Sequence, residues 1–300
     1  MKKKTYLFTL MAMALTLGSC SDNENGIGGE TSKYITVSTS IGNMTRVATD
    51  EKGGQTFEEG DEISVYAWTG DATVAPETRE RVVNNAINKQ TNGSWVSTPQ
   101  MLWKNNRDKH YFIGVYPTAA ISDLSAGEYT FDANKQTESD LLVAVNKDGL
   151  SYNADAQQTV PLTFTHVMAK LVVNLTYKNQ WGGIPTVEKV AVGNAAKEAT
   201  INYLTKVVTP STTAKEDFSL PEITENTKYV SVIIPQEDVK QLTIVIGGKN
   251  FVYDNGTPFK LESGKITTVN LEVGRDEIKL GDVKITNWED GSTFSGEALN

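Results

Sequence analysis

The sequence predicts an all-β protein with two tandem antiparallel β-sandwich domains. Short apolar runs alternate with polar residues at period two, which is the spacing of half-buried strands. These runs recur about every ten residues with turn residues between them, as in antiparallel sandwiches. No long segment has helical periodicity. The 300 residues suit two sandwiches of ordinary size.

The first half contains a strand at 34–41, followed by a polar loop and a second strand that ends at Trp68. Residues 79–89 fit either a short helix or the first arm of a hairpin. The hairpin is favoured, because Asn92-Gly93 follows and Asn-Gly between two apolar runs is a strong turn signal. Further strands are expected at residues 111–116, 129–131 and 140–144.

The longest apolar run outside the N-terminus is VPLTFTHVMAKLVVNLTY at 160–177. Its alternation shifts by one residue at Ala169-Lys170, which predicts one long strand with a bulge or bend. Pro161 cannot donate to a ladder and indicates a sheet edge or boundary. The preceding polar stretch places the domain boundary there, so the two sandwiches are expected at 34–158 and 159–300. Later strands are expected at residues 187–192, 198–203, 218–220, 229–234, 241–246, 251–253, 266–273 and 278–288.

The N-terminus predicts export. Three lysines at 2–4 precede an apolar segment at 6–17, which is too short to span a membrane. Leu17-Gly18-Ser19-Cys20 resembles a bacterial lipoprotein signal, with residues 1–19 removed and lipid added to Cys20. The alternative is an ordinary signal peptide in which Cys20 is incidental. Three acyl chains would hold the protein firmly on a membrane.

Residues 20–33 predict a flexible tether, because they are rich in Gly, Asn and acids. Asp22 and Glu24 resemble the surface-export signal of Bacteroidetes lipoproteins, although a merely solvated linker explains them equally well. The expected location is therefore the outer membrane, exposed at the cell surface.

Catalytic chemistry is not expected. The formal net charge is −9, and no basic cluster remains outside the N-terminal segment expected to be removed, so nucleic acid is not an expected partner. Cys20 is the only cysteine, and no nucleophile elbow or phosphate-binding loop occurs. The two histidines are too few for a zinc site, and no cofactor or metal is expected. His166 is interpreted as a core histidine with a hydrogen-bonding partner, and His110 as a solvated loop residue.

Several motifs together resemble the fimbrillin-like, Mfa-like proteins of Bacteroidetes, and they follow the order of that family. The matching stretches are Phe57 with GDEISVY at 60–66, Trp103 with YF at 111–112 and VYP at 115–117, DLLVA at 140–144, FTHVMAKL at 164–171, IIPQ at 233–236 and ITNWEDG at 285–291.

The resemblance implies two transthyretin-like domains and a surface lipoprotein precursor. In that family a trypsin-like protease removes the lipidated segment with the first strand, and the groove accepts a strand from another fimbrial subunit. Here Arg46-Val47 would be the cleavage point, although Arg46 could equally be an ordinary loop arginine in an anchored or tip subunit. The displaced first strand would contain Tyr34, Ile35, Val37, Thr39 and Ile41.

The C-terminal segment leaves two interpretations open. Ile278, Leu280, Val283 and Ile285 fit a strand of the second sandwich or an extendable donor, and the short tail after Trp288 argues against a long donor. The leading function is a structural subunit for fimbria assembly and adhesion. The alternative is a surface lipoprotein that binds host or dietary glycans through exposed aromatics, with Trp181 as the main candidate.

Overall fold

The computed structural model describes residues 33–42, 57–154, 158–254 and 256–288. Within these ranges it contains nineteen strands and two single-turn 3₁₀ helices, at Thr78–Glu80 and Asn179–Trp181. The structure therefore confirms the predicted all-β class. In the same ranges, no helix has the length and apolar character needed to cross a membrane.

Seven strands of the first half form one sheet, in the order β1-β8-β7-β5-β2-β3-β4. The first-half strands are β1 (Thr36–Ile41), β2 (Glu62–Thr69), β3 (Val83–Thr91), β4 (Ser94–Thr98), β5 (His110–Tyr116), β6 (Gly127–Thr130), β7 (Leu142–Leu150) and β8 (Thr159–His166). The β1–β8 pair is parallel and the other pairs are antiparallel. The sheet curls around a core of its own, to which β1, β2, β5 and β8 all contribute.

The predicted hairpin is confirmed. Strands β3 and β4 pair from Ile87–Thr98 to Thr91–Ser94. Asn92 and Gly93 connect them with φ values of 50° and 76°. Positive φ at both positions matches the twist of a tight hairpin, and Asn-Gly tolerates it best.

The second half forms a four-stranded sheet, β13-β10-β16-β17, and a five-stranded sheet, β14-β15-β9-β18-β19. Its strands are β9 (Ala169–Tyr177), β10 (Val187–Ala196), β11 (Glu198–Asn202), β12 (Val207–Pro210), β13 (Lys215–Ser219), β14 (Glu222–Thr224), β15 (Lys228–Ile233), β16 (Gln241–Ile246), β17 (Lys249–Asp254), β18 (Lys265–Val273) and β19 (Ile278–Asn287). Strand β18 runs parallel to β9 and antiparallel to β19.

The run at 160–177 is not the single bulged strand that its pattern predicted. Strand β8 belongs to the first sheet and β9 to the five-stranded sheet. The buried Val167 and Met168 connect them. The parity shift therefore marks a change of sheet, because inward-facing residues must point to a different core on each side of it. The expected boundary at 158/159 falls before β8, whereas the chain changes sheet at Val167-Met168.

The two halves also share a β-sheet and a hydrophobic core. Strand β6 of the first half pairs with β11 of the second, in a three-stranded sheet with the order β12-β11-β6. The larger hydrophobic core likewise joins residues of both halves, including Tyr66, Ile113, Ile201 and Tyr203. The first sheet thus has its own core on one face and the shared core on the other.

Candidate functional site

The first strand closes the curled sheet. On one side β1 pairs with β8, from Thr36–Thr159 to Ile41–Phe164. On the other side the residues just before β1 reach the segment that follows β4. The Ile35 N–H donates to the Met101 carbonyl at 2.9 Å, and the Trp103 N–H donates to the Lys33 carbonyl at 3.2 Å. One short segment therefore spans the two edges of the sheet.

The inward face of this segment is apolar. Ile35, Val37 and Ile41 are 3%, 6% and 8% exposed and belong to the core of the curled sheet. Burying each such side chain contributes about 1.5–3 kcal/mol. We call the cleft that holds them the β1 groove, and its lining residues are Trp95, Met101, Trp103, Val160, Leu162 and Phe164.

Thr39 differs from the other inward residues because it is polar and half-buried. Its Oγ1 accepts a hydrogen bond from the indole Nε1–H of Trp95 at 3.0 Å. Trp95 stands edge-on to Phe57, with ring centroids 5.3 Å apart and an interplanar angle of 82°. The hydrogen bond between Trp95 and Thr39 joins β4 directly to β1. Sequence reasoning missed Trp95 here, although the alternation of Trp95 and Ser97 after the Asn-Gly turn was a usable signal.

The outward face of β1 carries hydroxyl groups. Thr36 Oγ1 lies 3.2 Å from Thr159 Oγ1, and Ser40 Oγ lies 3.2 Å from Thr163 Oγ1. Tyr34, at the start of the predicted first strand, is 39% exposed and lies opposite Leu102. The segment is thus amphipathic, and its apolar face provides most of its attachment.

Strand β8 depends on β1 over its first five residues. The ladder between β7 and β8 extends only from Leu142–His166 to Ala144–Phe164. Residues 159–163 are paired along the backbone with β1. Pro161, which has no N–H to donate, lies in this portion. Loss of β1 would therefore turn the first part of β8 into an open edge.

The predicted processing residues Cys20, Arg46 and Val47 lie outside the described residues. The predicted lipidation and cleavage therefore stay predictions. Gly42, the last described residue after β1, donates its N–H to the Phe164 carbonyl at 2.9 Å. Arg46 is four residues further along the chain.

The two histidines occupy buried positions. His166 follows the prediction, because its Nδ1 lies 2.6 Å from Asp140 Oδ1 and its ring stacks on Trp288 at 4.0 Å. The prediction of a solvated loop for His110 is wrong, since the residue is 0% exposed. Its Nε2 accepts the Lys104 N–H at 3.0 Å, and its Nδ1 lies 3.0 Å from the Asp108 carbonyl.

These contacts determine which ring nitrogen of the neutral His110 carries the proton. Because Nε2 accepts a hydrogen bond, it carries no proton, and Nδ1–H donates to the Asp108 carbonyl. Burial lowers the pKa of His110, and the Asp108 carbonyl opposes this shift. Both histidines are therefore structural groups. Among the described residues, no cluster of His, Cys, Asp and Glu could hold a metal ion.

The tryptophans offer little open ring surface. Trp68, Trp103 and Trp288 are buried, while Trp95 and Trp181 are half-buried. Trp181 donates its Nε1–H to the Val273 carbonyl at 3.0 Å. Its ring packs against Phe251, and the guanidinium of Arg275 lies 5.6 Å from its centroid. With these contacts, the Trp181 ring packs against neighbouring side chains and is not a freely exposed stacking surface for a sugar.

Solved structures with the same architecture come from Bacteroides. One from Bacteroides uniformis, assigned a role in cell adhesion, is 19% identical, with a TM-score of 0.63 over 86% of this chain and 100% of the other. Another so assigned, from Bacteroides ovatus, is 17% identical, with a TM-score of 0.60 over 85% and 98%. A fimbrial protein from Bacteroides vulgatus is 13% identical, with a TM-score of 0.54 over 86% and 100%. These similarities establish the fold.

Family comparison agrees with the motifs in the sequence. No curated protein matches the chain. A family model described as fimbrillin-like matches residues 45–288, which include every described strand after β1. Because that match covers most of the chain, the protein belongs to the fimbrillin-like family, whose members are structural subunits of cell-surface fimbriae and not enzymes.

Proposed function

We propose that the protein is the lipoprotein precursor of an adhesive fimbrial subunit that assembles by strand addition into the β1 groove. In this proposal, lipid on Cys20 holds the exported chain in the outer membrane at the cell surface. A trypsin-like protease then cleaves between Arg46 and Val47. Strand β1 leaves with the lipidated segment, and a strand from another subunit replaces it.

The observation that carries the proposal is the closure of the curled sheet by β1. Removal of this segment would expose backbone groups on β8 and at 101–103, together with the pockets of three apolar side chains. Such an edge is a template for strand addition, and alternating pockets supply specificity. Parallel pairs are also slightly less stable per residue than antiparallel ones, which favours exchange of β1.

The C-terminal strand β19 lies in the five-stranded sheet of the second half and not in the sheet that β1 closes. Strand β19 is the edge of the five-stranded sheet and pairs with β18 over its whole length, apart from one irregularity. It is followed by Trp288, which is fully buried against His166. This pairing supports the first of the two open interpretations, a strand of the second half. The proposal assigns it no donor role.

Processing and assembly are tested with the purified full-length chain and a trypsin-like protease. We expect a product whose N-terminus is Val47 and that forms SDS-resistant multimers. Arg46→Ala should abolish both, whereas Arg79→Ala, at an arginine that is exposed on the described part of the chain, should change neither. A product that begins at Val47 and stays monomeric would contradict strand addition. Equal multimer formation by Arg46→Ala would contradict cleavage at this site.

A further inference from the structure

We infer that Trp95 selects the strand that enters the β1 groove, by requiring a Ser or Thr hydroxyl at the position that Thr39 now occupies. The inference rests on the proposed function, because it specifies the partner of the same groove. It assigns the partner strand the pattern apolar-x-apolar-x-Ser/Thr-x-apolar, read in the direction of β1.

The pattern follows from the four inward positions of the first segment. Ile35, Val37 and Ile41 are buried among apolar side chains. In the parallel register, Val37 lies beside Val160, and Ile41 lies beside Phe164. The remaining inward position receives the Trp95 N–H instead. The groove therefore offers three apolar pockets and one hydrogen-bond donor, in a fixed order.

Trp95 keeps its position through contacts that do not involve β1. Its backbone pairs with Gln90 of β3. Its ring packs on Phe57, which in turn contacts Tyr116 at 5.4 Å and Phe164 at 5.1 Å between centroids. Departure of β1 thus leaves the indole in place with its N–H directed into the groove. The donor is part of the groove before a partner arrives.

An aliphatic residue at this position would cover the indole N–H without offering it an acceptor. Water satisfies the N–H in an open groove, but an entering strand displaces that water. Because the indole N–H is half-buried, loss of its acceptor should weaken binding by about the net value of one hydrogen bond, roughly five-fold. Val has nearly the shape of Thr and lacks only the hydroxyl, so it isolates this effect.

The chain's own C-terminal strand does not carry the required pattern. Aligning Ile278 and Leu280 with the first two pockets brings Lys284 to the place of Ile41. Starting from Val283 and Ile285 brings Glu289 there instead. Either charge would be buried beside Phe164 without a partner, which is strongly unfavourable. The expected occupant is therefore not the C-terminal strand of this chain or of a second copy of it.

The test uses the full chain with residues 43–48 replaced by the recognition sequence of a site-specific protease, so that the nicked protein retains β1. Fluorescent peptides of residues 33–42 then compete for the groove, and their affinities are measured. The native and Thr39→Ser peptides should bind within about two-fold of each other, and the Thr39→Val peptide about five-fold more weakly. A peptide of residues 278–290 should bind more weakly than the native one.

The matched variant of the groove itself is Trp95→Phe, which keeps an aromatic ring but lacks the N–H that donates to Thr39. In this variant the native and Thr39→Val peptides should bind equally, since the hydroxyl has lost its partner. If the native peptide never enters the groove, both strand addition and this inference fail. If it enters but Thr39→Val binds as tightly, the inference alone is wrong. Should Trp95→Phe not fold, the Ser and Val peptides on the unsubstituted protein still decide.

Discussion

At the residue scale, His110 links stability to pH. Its buried ring is neutral in the folded protein, and burial lowers its pKa. In the unfolded chain the residue takes up a proton near pH 6.5, whereas the folded chain does so only at lower pH. The unfolded state therefore binds more protons as the pH falls below that value. The stability contributed by neutral His110 is present above about pH 6.5 and is lost below it, by up to about 1.4 kcal/mol per pH unit.

His110→Gln tests this link, because glutamine can accept the Lys104 N–H but does not titrate. The free energy of unfolding is measured with urea at about pH 7.5 and about pH 5.5 for both proteins, on either side of the ordinary histidine pKa. The unsubstituted protein should lose more stability than the variant over this interval. Equal losses would show that His110 does not contribute to the pH dependence.

The two histidines also show what residue patterns can predict. His166 lies on an alternating apolar strand, so its burial and its need for a partner followed from the sequence. His110 follows Arg107-Asp108-Lys109, and that charged run suggested a solvated loop. The run does face solvent, but the next side chain turns inward. Its partners are main-chain groups of Lys104 and Asp108, and no side-chain pattern encodes them.

At the element scale, a charge should destabilise the inward face of β1 strongly and its outward face hardly at all. Val37 is buried in the β1 groove, whereas Ser38 is exposed on the outer face. Val37→Asp should detach β1 and lower the free energy of unfolding by several kcal/mol, because it buries an unpaired carboxylate. Ser38→Asp should change stability by about 0.5 kcal/mol or less.

Hydrogen exchange distinguishes detachment of β1 from general unfolding. Val37→Asp should expose the amides of 36–41 and of the first part of β8, while β9 and β18 keep their protection. Similar protection of β1 in both variants would contradict the assigned inward face. Uniform loss of protection across the second half would instead mean that β1 supports the whole fold.

Elements with local signals were predictable, and the change of sheet was not. The β3–β4 hairpin followed from Asn92-Gly93, because its geometry depends on two neighbouring residues. The shift in alternation after His166 has two physical explanations, a bulge within one sheet or a crossing between two. Both produce the same local pattern, and only the long-range partners of β8 and β9 distinguish them. The β1 groove was partly predictable. The inward residues of β1 follow from their alternation in the sequence, but the hydrogen bond between Thr39 and Trp95 joins residues far apart in the chain and has no local signal.

At the scale of the whole molecule, the halves should unfold together. The β6–β11 pairing and the shared core cross the predicted domain boundary. Two independent domains would give two thermal transitions, whereas coupled halves give one. Calorimetry of the full chain should therefore show a single transition, with calorimetric and van't Hoff enthalpies that agree. Two resolved transitions in the unsubstituted protein would contradict the coupling.

Gly127 provides the variant that weakens this junction. A Cβ at this position of β6 would lie 2.5 Å from the buried Tyr203 ring, so Gly127→Ala must displace either the ring or the strand. Gly42→Ala is the matched control, because its Cβ would meet only ordinary contacts at 3.5 Å or more. We expect Gly127→Ala to broaden or split the transition, since separating β6 from β11 leaves each half with its own sheets. The control should retain one transition near the original temperature. If Gly127→Ala lowers that temperature without broadening, the coupling resides in the shared core rather than in the β6–β11 pairing.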